Sequence, residues 1–340
     1  MPTSEPSYPI PRSVLDRLDP EYRDFTLAFP PPFLRPENPV LSPNFREAGK
    51  DSPPVELGEA TGVPVRATQT IEFDGFSAKV LIPFGDKPEG GWPVFIWIHG
   101  GAWIFGHADS GLSTYSRACV EARCIVMSIE YRMAPEHPFP AAVNDLWTTL
   151  TWVREEGNRT VGIDPNQIAV GGASAGGNLA AVLAQRAAAA SPPIPILLQV
   201  LMVPITDCTY TEDPSTWSAS MVEYANLFAL RAEDMIWARN IYLPNPAHRQ
   251  IPDASPILQD NELVYKNLAP AWVGVVELDV LRSEGETYAE KMKRFGVPVQ
   301  LTIYKGATHL TPAADRVCAL ARKMRSDQVA AIRSAFACEN

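Results

Sequence analysis

Seven consecutive residues, Gly171-Gly172-Ala173-Ser174-Ala175-Gly176-Gly177, constrain this chain more than any others. They follow an apolar, strand-like run, Gln167 to Val170, and precede a helix-like run, Asn178 to Ala190. A Gly-x-Ser-x-Gly core between strand and helix demands a sharp turn with strained backbone angles, and the flanking glycines leave the room for it. A serine hydroxyl raised at such an apex is placed for nucleophilic attack. The blander reading of the same residues is a small-residue turn that lets a helix pack closely on a strand.

A second segment weighs against the blander reading. Val94 to Ile98 is a β-branched and aromatic run that ends in His99-Gly100-Gly101-Ala102-Trp103, which reads as a buried strand entering a glycine turn. Upstream of a serine elbow, a His-Gly-Gly turn supplies backbone N–H donors to an oxyanion, and the residue after the nucleophile supplies another. The expected donors are therefore Gly100, Gly101 and Ala175. Glycine suits the turn because a Cβ would crowd the carbonyl under attack.

An acid and a histidine should then follow the serine in that order, each just past a strand end. Ala271 to Leu278 is apolar apart from Glu277 and ends at Asp279, while Val299 to Tyr304 alternates as a strand before Lys305-Gly306-Ala307-Thr308-His309. Of the five histidines, His99, His107, His137, His248 and His309, only His309 lies after the acid at a strand exit. Glu277 competes with Asp279 and points to the same strand face. One pleat advances about 6.6 Å, which leaves Glu277 inside the sheet and carries Asp279 to its edge. Glu284 reads as the start of a helix, where an acid suits the N-terminal dipole.

With these residues in view, the chain resembles the hormone-sensitive-lipase-like carboxylesterases of the α/β-hydrolase superfamily. Tyr131 to Ala142, YRMAPEHPFPAA, is similar to the family's YRLAPEHPFPAA; Asp279 to Gly285, DVLRSEG, is similar to DPLRDEG; Asp164-Pro165 and Gly306 to His309 add to the likeness. The match runs from about Trp92 to His309. Departures occur at Ala173, Val280, Ser283 and Leu310-Thr311, and none removes a triad side chain. The resemblance implies an α/β-hydrolase fold: a mainly parallel central sheet with helices on both faces and a helical cap. It implies catalytic Ser174, Asp279 and His309, with His309 taking the serine proton and Asp279 fixing the imidazole tautomer.

Along the chain, strand-like runs from Val94 onward alternate with helical stretches, as a parallel sheet covered on both faces requires. Asp74-Gly75 joins two alternating runs as a hairpin. Between Pro204 and Ala271 the pattern holds no good core strand, only helix-like pieces with Trp217, Tyr224, Phe228, Trp237 and Tyr242. The first 60 or so residues are proline-rich yet carry too many apolar side chains, Leu15, Leu18, Tyr22, Phe25 and Phe33 among them, for a disordered tail. The expected division is a catalytic core at 61–204 and 251–340 and a helical cap at 1–60 and 205–250. Trp103 and Phe105, adjoining the glycine turn, are expected to contact substrate. Glu130, Arg132, Glu136 and Asp145 read as a structural network.

Composition narrows the partners. The 340 residues carry a formal charge of −10 without a basic cluster, which argues against nucleic acid and anionic membranes. Cys119, Cys124, Cys208, Cys318 and Cys338 are scattered, without metal-ligand spacing, and read as reduced thiols in the cytosol. No secretory leader or membrane-spanning stretch is legible, and neither a cofactor nor a metal is expected. The expected activity is hydrolysis of a small-to-medium, uncharged carboxylic ester through an acyl-enzyme. The same triad would also serve lactone opening, acyl transfer, dehydration or cyclisation, and a non-catalytic ligand receptor is the third reading. A homo-oligomer stays open.

Overall fold

The computed structural model describes residues 10–31, 34 and 56–337. Its centre is an eight-stranded sheet: β1 (Ala67–Glu72), β2 (Ser77–Ile82), β3 (Trp92–Ile98), β4 (Ile125–Glu130), β5 (Ile163–Ala173), β6 (Leu198–Met202), β7 (Ala271–Leu278) and β8 (Val299–Thr308). The spatial order is β1-β2-β4-β3-β5-β6-β7-β8. Only β2 runs against the others: it pairs antiparallel with β1 through the Asp74-Gly75 hairpin, and with β4. From β4 to β8 every pairing is parallel, so the exits of β3, β5, β7 and β8 lie along one edge.

The central strands are apolar at almost every position because both faces are covered. In β3, Val94, Ile96 and Ile98 enter the core on one side, with Leu146, Leu150 and Leu179 from the helices Ala141–Glu155 and Ala175–Ala189. The alternate residues Phe95 and Trp97 enter the core on the other side, with Tyr115, Ile332 and Phe336 from the helices Leu112–Glu121 and Ala319–Ala337. This period of two sorts one continuous hydrophobic run into two cores.

Between β6 and β7 the described chain forms helices, Ala219–Glu223, Ala232–Tyr242 and Glu262–Asn267, joined by short 3₁₀ turns and no strand. The first is tied to the loop after β7, where Ser220 Oγ donates to the Val280 carbonyl at 2.9 Å and Ser220 N donates to Ser283 Oγ at 3.0 Å. The N-terminal helix Pro20–Ala28 has proline at its first position and Asp19 as its cap, with Tyr22 N donating to Asp19 Oδ1 at 3.1 Å. It docks on the exit of β8: Asp19 N donates to the Gly306 carbonyl, and Thr308 Oγ1 donates to the buried Tyr22 hydroxyl. Of the N-terminal apolar residues, Leu18 and Tyr22 are buried, whereas Leu27 and Phe29 are exposed. Phe33 and Cys338 lie outside the described residues, as do 1–9, 32, 35–55 and 339–340, and with them much of the expected cap segment 1–60.

Candidate active site

Ser174 stands between the end of β5 at Ala173 and the helix that starts at Ala175, with φ 56° and ψ −120°. A positive φ at a residue with a Cβ costs on the order of 1–3 kcal/mol, so the surroundings must enforce it. They do so from both sides of the turn. Ser174 N donates to the Met202 carbonyl at 2.9 Å, and the Ser174 carbonyl accepts from Asn178 N at 3.0 Å. The flanking glycines let the turn sit directly on the exit of β3. A Cβ on Gly172 would lie 2.4 Å from the Ile98 carbonyl oxygen, and one on Gly176 only 2.0 Å from the same atom.

The exits of β7 and β8 bring Asp279 and His309 to this serine. His309 Nδ1 is 2.8 Å from Asp279 Oδ2, and His309 Nε2 is 3.0 Å from Ser174 Oγ. Both Asp279 and His309 are largely shielded from solvent. A carboxylate accepts only, so Nδ1 carries the ring proton and Nε2 presents a lone pair to the Ser174 hydroxyl. Asp279 is held by the backbone N–H of Leu281 at 3.2 Å, and the turn carrying His309 by Thr308 N donating to Thr311 Oγ1 at 2.8 Å.

On the other side of Ser174 lies the turn after β3. The N–H groups of Gly100, Gly101 and Ala175 donate to no acceptor among the described residues. Gly101 has φ +113°, and its own Cβ would meet the Phe105 carbonyl at 2.1 Å, so only glycine fits. The turn is closed by Ile104 N and Phe105 N, which donate to the Gly101 carbonyl. His99 is fully buried and stacked on Tyr131 at 4.3 Å. Burial lowers its pKa to about 4 against the opposing bond to Gly100, so the ring is neutral and its Nδ1–H donates to the Gly100 carbonyl at 2.7 Å. The histidine braces the turn without facing substrate.

A cavity of about 500 Å³ opens from Ser174 and His309, a size suited to a small organic molecule. Its walls include Trp97, Phe105, Met202, Leu230 and Met235, with Leu34 and Leu57 from the N-terminal segment. Phe105, expected to contact substrate, thus lines this cavity. Trp103 does not: it is fully buried and stacked on Tyr242 at 4.5 Å, because φ of +56° and +60° at Ala102 and Trp103 turn the chain and carry the indole beneath the wall. Val203 also lines the cavity, with φ +41° in a β-branched residue, held by its N–H donating to the Gly274 carbonyl at 2.7 Å. No sequence signal marks that strain.

The two competing carboxylates have other occupations. Glu277 lies within β7, where the pleat count puts it, but a register shift between Val276 and Leu278 leaves it without a partner in the pairing with β8. Its Oε2 accepts from Gly306 N at 2.8 Å and its Oε1 from Arg17 Nη2 at 3.0 Å. Burial raises the Glu277 pKa, but the Gly306 N–H and the Arg17 guanidinium outweigh it, and the net shift is downward. Glu284 stands in the first turn of its helix, as the sequence places it. It is buried in the helix Arg282–Arg294 and accepts from Thr206 N at 2.6 Å. Burial, with the charge of Asp207 adding to it, holds its pKa well above the usual carboxylate range.

The structural reading of the Arg132 cluster fits its bonds: Asp145, nearly fully buried, accepts from Arg132 N at 2.9 Å and Arg132 Nε at 3.0 Å, and Glu130 accepts from Ala108 N. Asp19, Glu21 and Cys318 bring three potential metal-ligand atoms within 4.8 Å of one another. Each already serves a helix end: Asp19 caps Tyr22 N and accepts from the Cys318 thiol, and Glu21 accepts from Ala319 N. Burial raises the Cys318 pKa to about 11.

A strand-turn-helix serine, a largely shielded histidine and a buried acid at two later strand exits, and a glycine turn after an earlier one define an α/β-hydrolase arrangement. The model of the alpha/beta hydrolase fold family matches residues 95–312, and the chain belongs to that family, the one that contains the hormone-sensitive-lipase-like esterases. An AB hydrolase superfamily protein of Schizosaccharomyces pombe is 37% identical over 98% of this chain and 99% of its own length. The carboxylic ester hydrolase LipN of Mycobacterium tuberculosis is 37% identical over 66% of this chain and 58% of its own length. Among solved structures, an esterase of Pyrobaculum calidifontis superposes with a TM-score of 0.73 at 32% identity, covering 82% of this chain and 87% of the other.

Proposed function

We propose that this chain, a carboxylic-ester hydrolase by its relatives, works through an acyl-enzyme on Ser174. The observation that carries the reading is the continuous hydrogen-bonded chain Asp279–His309–Ser174 at the mouth of a largely apolar cavity. His309 Nε2 takes the hydroxyl proton as Ser174 Oγ attacks the ester carbonyl, while Asp279 holds the tautomer and stabilises the imidazolium that forms. The tetrahedral oxyanion is held by the N–H groups of Gly100, Gly101 and Ala175, which have no acceptor to give up among the described residues. His309 returns the proton to the leaving alcohol, and water, activated by the same base, releases the acid. No cofactor takes part in this cycle.

In the same reading, residues 1–60 and 205–250 form the helical cap, with Leu34, Leu57, Leu230 and Met235 as its contribution to the pocket and Phe105 facing it from the core. An apolar wall and a volume of about 500 Å³ favour small-to-medium uncharged esters. No helix among the described residues is long and apolar enough to cross a membrane, and the buried free thiols Cys119, Cys124, Cys208 and Cys318 suit a reducing compartment such as the cytosol. The test is a panel of nitrophenyl esters of rising acyl length. Turnover should rise with chain length until the cavity is filled and fall beyond it, and Ser174→Ala should abolish it throughout. A folded wild-type protein inert toward every member would overturn the proposal.

A further inference from the structure

Five charged or phenolic side chains outside the proposed triad converge at the exits of β7 and β8. Arg17, from the N-terminal segment, donates through Nη2 to Glu277 Oε1 at 3.0 Å and to the Tyr224 hydroxyl at 2.9 Å, and lies 3.8 Å from Glu223. Arg282 approaches from the other side, donating to the Glu277 backbone carbonyl at 2.9 Å and to Glu223 at 3.4 Å. Both guanidinium groups stand over the Tyr224 ring, at 5.7 and 5.5 Å from its centroid. The carboxylate at the centre is Glu277, whose second oxygen accepts the backbone N–H of Gly306.

The positions give this network its meaning. Glu277 precedes Asp279 by two residues on β7, and Gly306 precedes His309 by three on β8. Between Val276 and Leu278 the two strands slip register, so the sheet ladder itself is irregular at that point. One carboxylate thus joins the two strand ends that carry the acid and the base, and the same carboxylate holds the N-terminal segment through Arg17, which in turn reaches Tyr224 and Glu223. That segment supplies Leu34 and Leu57 to the cavity wall.

We propose that Glu277 is a positioning residue, clamping the strand ends that carry Asp279 and His309 and coupling their alignment, through Arg17, to docking of the N-terminal segment over the site. The inference rests on the triad reading for its catalytic half only. An exposed ion pair adds little to stability, so the clamp acts on alignment: a misplacement of about 1 Å between reacting groups lowers turnover by up to about 10²-fold. Because Arg17 is partly exposed, salt weakens its half of the clamp.

Three variants test it. Glu277→Ala, which removes both bonds, should lower kcat by at least about tenfold, within the range expected of misalignment, at little change in melting temperature. Glu277→Gln retains an acceptor for the Gly306 N–H but loses the charge that holds Arg17, so it should recover only part of that kcat. Glu277→Gln and Arg17→Met should both speed amide hydrogen exchange over residues 12–28, as should raised salt in the wild type. Unchanged kcat in folded Glu277→Ala, or unchanged exchange in both other variants, overturns the proposal, and the exchange result decides it if the alanine variant does not fold. Exchange does not depend on turnover, so an active Ser174→Ala protein would overturn the triad reading without touching this coupling.

Discussion

Gly176→Ala should produce a folded protein with a ruined active site. A Cβ there lands 2.0 Å from the Ile98 carbonyl oxygen and 2.5 Å from that of His99, both backbone atoms at the exit of β3. Carbon–oxygen contacts sit near 3.3–3.6 Å, so the serine turn and the glycine turn must separate by more than about 1 Å. Overpacking of this kind typically costs about 1–3 kcal/mol, which a domain stable by roughly 5–15 kcal/mol survives. The two turns that part are the ones carrying the N–H groups of Ala175 and of Gly100 and Gly101. Losing one such donor lowers kcat by about 10²–10³. The assay is ester turnover with a parallel melt, and Gly296→Ala is the control: its φ is +85° but nothing lies within 4 Å of the added Cβ. That variant should lose about 1–2 kcal/mol to the left-handed backbone and no activity. A folded Gly176→Ala protein with wild-type kcat/KM would refute the reasoning.

Two further predictions concern the carboxylates. Asp279→Asn should fold and lose roughly 10⁴ in kcat, as in other triads whose acid no longer holds the imidazole tautomer; near-normal turnover in steady-state assays would remove Asp279 from the triad. Glu284 makes a stability prediction with a definite sign. Burial raises its folded pKa well above the ordinary carboxylate value of 4.5, so the folded state binds more protons than the unfolded one above that pH. Its contribution is complete below about 4.5 and is lost as pH climbs toward the folded value. Urea midpoints should therefore fall with rising pH less steeply in Glu284→Gln than in the wild type, and identical slopes would refute the assignment.

Strand identity was legible because a buried parallel sheet writes itself as short apolar runs separated by helical stretches, as Val94 to Ile98 and Ala271 to Leu278 do. The residues brought together around Ser174 were legible from their positions at strand exits. What escaped was decided by backbone geometry without a sequence signature. The positive φ at Ala102 and Trp103 buries an indole that proximity alone assigns to substrate, and the register slip after Val276 leaves Glu277 unpaired within its strand. The helix start at Glu284 was legible, but its burial was not, because that comes from the chain after β6 folding back to donate Thr206 N to it. The pocket residues Leu34, Leu57, Leu230 and Met235 come from segments remote in sequence, where no pattern states which side chains converge.

The central claim is that Ser174 carries the acyl group, and the most direct measurement is reaction of the whole protein with a fluorophosphonate, followed by mass analysis of the peptide spanning the serine turn. The account predicts one equivalent of label on Ser174, loss of ester turnover in proportion to labelling, and no label in Ser174→Ala. Label on another residue that tracks the loss of activity, or full turnover with Ser174 completely modified, would contradict it.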